Sequence, residues 1–175
     1  MQKMKKLLIF GIMCLIELAI VSCDKDSTDT GISDDGDITP AGYVDLGLPS
    51  GTKWKASNEE GYYDYDSVKE TFGSKLPTRE QFEELKSLCT FSWDSDRKGA
   101  NFVSTVNGKS IFLPAAGYRN CDGDWLYVGS IGHYWSSTPV LTGLDEAWSL
   151  YFYSGLVNIR TLNRCSELSV CLVHD

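Results

Sequence analysis

The stretch Trp148-Ser-Leu-Tyr-Phe-Tyr-Ser-Gly-Leu-Val-Asn-Ile159 decides how this chain is expected to fold. Trp148, Leu150 and Phe152 fall on one side of an extended backbone and Ser149, Tyr151 and Tyr153 on the other, the period of two of a half-buried strand. Ser154-Gly155 then turns the chain back toward Leu156–Ile159, so short antiparallel strands are the expected unit. Working outward, Asn107-Gly108 marks a second hairpin between strands near 101–106 and 110–113. Further strands are predicted at 125–128, 134–137 and 169–173. One helix stands out among them. Thr78 can cap it with Gln81 in the reciprocal position, Glu80, Glu83 and Glu84 suit its positive end, and Phe82, Leu85, Leu88 and Cys89 form one apolar stripe. Short strands with one clear helix predict an α+β class.

The chain has 175 residues, of which 42% are hydrophobic and 23% charged, enough for one globular domain. Residues 43–175 hold all five Trp, all nine Tyr and six of the seven Phe, and are read as that single domain. Ahead of it, Lys3, Lys5 and Lys6 precede an apolar run that ends in Ile20-Val-Ser-Cys23, the pattern of a signal peptide closing on a lipobox. Residues 1–22 are thus expected to be removed, with Cys23 carrying the lipid. Residues 23–42 follow as an acidic tether, in which Asp24, Asp26, Asp29, Asp34, Asp35 and Asp37 face only Lys25. The expected location is the outer membrane, facing outward. The net charge of −8, with a pI near 4.7, excludes a nucleic-acid partner, since no basic cluster exists beyond the first six residues to hold a phosphate backbone.

Catalytic and metal chemistry find little support in the residues. The chain has two histidines, His133 and His174, too few for a multi-histidine zinc site, and no nucleophile elbow, Walker loop or dinucleotide fingerprint occurs. Asp94, Asp96 and Gly99 begin like an EF-hand loop, but Thr105 stands where the closing Glu belongs. Asp122 and Asp124 read as a solvated acidic turn. No metal, no cofactor and no enzymatic activity are expected. Of the domain's cysteines, Cys121 and Cys165 occupy polar, loop-like contexts and form the favoured disulfide; Cys89 and Cys171 lie in apolar patterns that suit buried thiols.

Six phrases carry a family resemblance: Tyr43–Trp54, Leu76–Arg79, Ser110–Arg119, Gly132–Thr138, Leu150–Gly155 and Ser169–Val173. Together they resemble the Fibrobacter succinogenes major paralogous domain. The resemblance implies a C-type lectin-like fold on secreted or lipid-anchored bacterial surface proteins, while the family's biochemical role is poorly defined. A narrower similarity is to retroelement-diversified lipoproteins of Bacteroidota type, whose C-terminal segments bind partners. Here 139–146 and 156–168 read as irregular loops between framework phrases. Apolar side chains in such loops either anchor them or form a contact surface, and the resemblance favours contact. Leu141, Thr142, Leu144, Asp145, Ile159, Arg160, Thr161 and Leu162 are therefore the expected ligand-binding residues, for a glycan or protein ligand. A surface glycan-processing enzyme and a structural or adhesive part of a surface appendage are the alternatives.

Overall fold

The computed structural model describes residues 39–142 and 145–175. The expected signal peptide, Cys23, most of the tether and Leu144 lie outside the described residues.

Strand chemistry dominates what is described. Eleven strands form in chain order: β1 (Tyr43–Asp45), β2 (Lys53–Lys55), β3 (Cys89–Asp94), β4 (Gly99–Ser104), β5 (Ser110–Pro114), β6 (Tyr118–Arg119), β7 (Trp125–Leu126), β8 (Gly132–Pro139), β9 (Glu146–Tyr153), β10 (Leu156–Asn163) and β11 (Val173–His174). Between β2 and β3 lie helix α1 (Tyr65–Phe72), a 3-10 turn (Gly73–Lys75) and helix α2 (Arg79–Leu88). The strands make three three-stranded sheets, β1-β2-β11, β3-β4-β5 and β8-β9-β10, and the small β6-β7 pair, each pairing antiparallel. The expected α+β, C-type lectin-like arrangement with one clear helix is corrected by this balance to a mainly β architecture. Beside two short helices, the strands supply most of the regular secondary structure among the described residues.

Each helix has a local cause. Thr78 Oγ1 accepts from the Gln81 backbone N–H at 3.1 Å and Gln81 Oε1 accepts from the Thr78 N–H at 2.8 Å, so α2 starts with a complete capping box. Its Phe82 and Leu85 are fully buried. The helix α1, not expected from the sequence, begins at Asp64, whose carboxylate accepts from the Asp66 and Ser67 N–H groups. Only Tyr65 and Val68 are buried along it, too few to print an apolar stripe on the sequence.

The β8-β9-β10 sheet lies between two clusters of buried side chains. One face presents Tyr134, Leu150, Phe152 and Ile159 to the larger cluster, where Trp54, Phe82, Leu85, Phe102 and Leu113 meet them. The close approach there requires a glycine, because a Cβ on Gly132 would overlap the Phe152 ring. On the other face, Trp135 and Ala147 join Tyr65, Val68, Leu76, Leu168 and Val170 in a second cluster, with Trp135 Nε1 donating to the Tyr63 carbonyl at 2.8 Å. That second cluster covers only part of its face.

Two further expectations are corrected. The segment 156–168 is not an irregular loop: its first eight residues form β10, paired residue for residue with the whole of β9, from Leu156↔Tyr153 to Asn163↔Glu146. The predicted strand at 169–173 shortens to β11, with only single bridges at Leu168 and Ser169 before it.

Candidate functional site

The uncovered part of the second face carries the candidate site. His133 pairs with Tyr151 across β8 and β9, Arg160 with Ser149 and Leu162 with Ala147 across β9 and β10, so these side chains project the same way. Beyond the Trp135 cluster they form the floor of a cleft of about 380 Å³, and Tyr118, Tyr127 and Ile131 form its wall. Such a volume suits a small ligand.

The wall is set by backbone geometry. A parallel bridge between Gly117 and Gly132 lays the start of β6 beside β8, which puts the Tyr118 ring 5.1 Å from the His133 ring. After β7 the chain turns tightly, the Tyr127 carbonyl accepting from the N–H groups of Ser130 and Ile131. Tyr127 itself takes a left-handed φ of 57°, which costs a non-glycine residue about 1–2 kcal/mol. In that conformation Tyr127 is 58% exposed and its ring stacks on Tyr118, the ring centres 6.3 Å apart.

Wall and floor are joined beside the cleft. Cys121, in the β6–β7 turn, is disulfide-bonded to Cys165, two residues past β10, with their Cα atoms 5.1 Å apart. Next to it Arg119 and Glu167 exchange two backbone hydrogen bonds, and Arg119 Nη1 donates to Glu167 Oε1 at 3.0 Å. The disulfide, the backbone pair and the ion pair hold the hairpin carrying the tyrosines against the strand carrying Arg160. Cys89 and Cys171 are free and buried, and burial pushes their thiols up to about 11 and about 12.

Inside the cleft, charge resides on Arg160. Its guanidinium carbon lies 3.9 Å from the centre of the Tyr151 ring, and among the described residues no carboxylate pairs with it. The neighbouring His133 is almost fully buried; burial, aided by the Arg160 charge, lowers its pKa to about 3, so the imidazole is neutral. Its Nδ1 lies 3.4 Å from Ser149 Oγ, and that hydroxyl donates its proton to the Arg160 carbonyl at 3.1 Å. Ser149 thus stands between the His133 ring and the Arg160 backbone and ties the imidazole to the strand that carries the guanidinium. Burial raises the Tyr118 pKa, so that phenol also stays neutral.

The expected binding residues separate into groups. Arg160 and Leu162 line this cleft. Leu141, 95% exposed, and Thr142 line a different depression, of about 360 Å³, between the start of α2 and Trp148, whose ring lies 4.0 Å under the Arg79 guanidinium. Thr161 pairs with Trp148 on the face opposite Arg160. Asp145 is exposed and its carbonyl accepts from the Arg164 N–H at 2.7 Å. Ile159 is corrected: it is buried in the larger cluster, where β10 alternation turns it away from solvent, and cannot touch a ligand. The sequence reading missed Tyr118, Tyr127, Ile131 and Tyr151 and treated His133 as structural. The alternation along Ser149–Tyr153 was the one signal that could have indicated Tyr151. Among the described residues, no three His, Cys, Asp or Glu side chains gather as a metal site, and no helix is long and apolar enough to cross a membrane.

The profile of a family described as a domain of unknown function, DUF8237, matches residues 93–173. The match takes in every residue of the cleft and both cysteines of the disulfide, and begins after α2. Searches of curated proteins and of solved structures found no match.

Proposed function

We propose that residues 43–175 form a non-catalytic ligand-binding domain of a bacterial surface lipoprotein, held to the outer membrane through Cys23 and the acidic tether, with its ligand seated in the Tyr118–Arg160 cleft. The observation that carries this reading is the Arg160 guanidinium, fixed on an aromatic ring beside open tyrosine faces and lacking a carboxylate partner among the described residues. A charge placed so is available to a ligand, and the disulfide and the Arg119–Glu167 pair keep wall and floor at a fixed separation before the ligand arrives, which lowers the ordering cost of binding. The cleft lining favours binding over hydrolysis. Glycoside hydrolysis needs an acid and a base carboxylate flanking the bond, and none of the lining residues carries a carboxylate. The buried His133 imidazole, its Nδ1 3.4 Å from Ser149 Oγ, resists taking up a proton. The lipobox, the acidic tether and the resemblance to the Fibrobacter succinogenes major paralogous domain support the surface location.

A glycan and protein array probed with the intact protein tests this. Capture should be lost when Arg160 and Tyr127 are replaced together by Ala, with the melting temperature unchanged. Capture that persists in this variant would place the ligand elsewhere on the domain.

A further inference from the structure

Resting on the cleft as the binding site, we propose that its ligand is an acidic sugar, a pyranose ring bearing one carboxylate, with the carboxylate on Arg160 and a ring face on Tyr127. Three features of the cleft converge on this class. The first is charge. Arg160 is the one cation among the lining residues, so the cleft offers compensation for a single negative charge. A phosphate dianion or a polysulfated chain would meet a protein of net charge −8 with one guanidinium to receive it, which disfavours polyanions. Neutral His133 adds no second positive charge.

The second feature is the geometry of that cation. The guanidinium carbon sits 3.9 Å from the centre of the Tyr151 ring, and among the described residues no carboxylate pairs with it, so its N–H groups can serve a ligand. Its planar fork matches the two oxygens of a carboxylate, a match that a lysine ammonium would not provide. The third is the wall. The Tyr127 ring is more than half exposed and backed by Tyr118, so it presents a supported aromatic face. The negative face of an aromatic ring suits the polarised C–H bonds on one side of a sugar, while the phenol hydroxyls of the lining can meet sugar hydroxyls. Ile131 and Leu162 are the only aliphatic residues in the lining, which leaves little room to bury the side chain of a peptide.

The test is calorimetric titration of the full-length protein in detergent with methyl β-D-glucuronide and with methyl β-D-glucoside, which differ in the carboxylate. The glucuronide should bind about ten- to a hundredfold more tightly, the range of one charge-assisted bidentate contact. Arg160→Gln should remove that preference and leave both sugars equally weak, Arg160→Lys should restore part of it, and Tyr127→Ala should weaken both sugars alike. Melting curves of all variants should overlay that of the parent. Equal binding of the two sugars by the parent protein, sensitive to Tyr127→Ala, would overturn the acidic class and leave the cleft as the site. A preference that survives Arg160→Gln, or a failure of the parent to bind either sugar, would overturn the proposal. Array capture that survives the double replacement of Arg160 and Tyr127 would overturn the site itself.

Discussion

Lowering the pH from 7.5 to 5 is expected to destabilise this protein through His133, and the size of the effect follows from its burial. In the unfolded chain the imidazole titrates near 6.5, its ordinary value; in the folded protein it titrates at about 3. Between these values the unfolded state binds a proton that the folded state refuses, so stability is fully present above pH 6.5 and is lost as the pH falls toward 3. At pH 5 the loss from this one group is about 2 kcal/mol, and each further pH unit down to about 3 adds about 1.4 kcal/mol. The groups that face His133 are Arg160 from β10, Tyr118 from β6, and Tyr151 and Ser149 from β9. Burial raises the Tyr118 pKa, so that phenol stays neutral across this range and does not reshape the profile. Urea denaturation at pH 7.5 and pH 5, on the parent and on His133→Gln, separates the histidine from the carboxylates, which titrate alike in both proteins. Gln can keep a hydrogen bond with Ser149 and does not titrate. The parent should lose about 2 kcal/mol more than the variant between the two pH values. Equal losses would show that His133 takes up its proton in the folded state, and the neutral imidazole assigned to the cleft would be wrong.

Other perturbations probe other parts of the argument. Replacing Cys121 and Cys165 by Ser opens a loop whose ends are 44 residues apart, and should cost about 4 kcal/mol on the chain-entropy account, read as a fall in denaturant midpoint; no fall would mean the Arg119–Glu167 contacts alone hold the wall. Leu85→Ala removes a fully buried side chain from the larger cluster and should cost about 2–5 kcal/mol in the same measurement; a negligible change would contradict the packing of α2. Cys23→Ala should shift the protein from the membrane fraction to the soluble fraction, because the acidic tether has no apolar area to replace the lipid; continued sedimentation with membranes would refute the lipoprotein reading.

Where local chemistry and tertiary packing agree, the sequence is readable. Thr78 and Gln81 announce α2 because both halves of the capping box act within four residues, and Trp148–Tyr153 announces β9 because one of its faces is apolar throughout. The strand β10 is harder to see. Its outward positions hold Asn158 and Arg160 and its end holds Thr161 and Asn163, which reads as a loop; what makes it a strand is eight-residue pairing with β9, a nonlocal cause. The same holds for the cleft. Tyr151 could be placed outward by alternation, whereas Tyr118 and Tyr127 reach it only because Gly117 bridges to Gly132 and Tyr127 takes a left-handed φ. No periodicity encodes either event.

The β8–β9 pair also sets how the core and the proposed binding cleft are related in this domain. Tyr134 pairs with Leu150 on the core side, and the next pair, His133 with Tyr151, faces the cleft. A one-residue slip of register would therefore expose the core and bury the site together, so every contact of Phe152 and Leu150 with the larger cluster also fixes where His133 and Tyr151 stand. Gly132 tightens this coupling, since the Phe152 ring occupies the space its side chain would need. Along the second face the division is made by what covers it: α1 and the segment around Leu168 and Val170 bury Trp135, and beyond them the sheet is open. Arg160 belongs to the open part, on an edge strand with one neighbour, and no element of the core depends on its side chain. If the cleft is the binding site, substitutions there should alter which ligand is held while the paired strands beneath keep the fold, a consequence of period-two alternation acting on a sheet with one face packed on the larger cluster and the other packed over only part of its length.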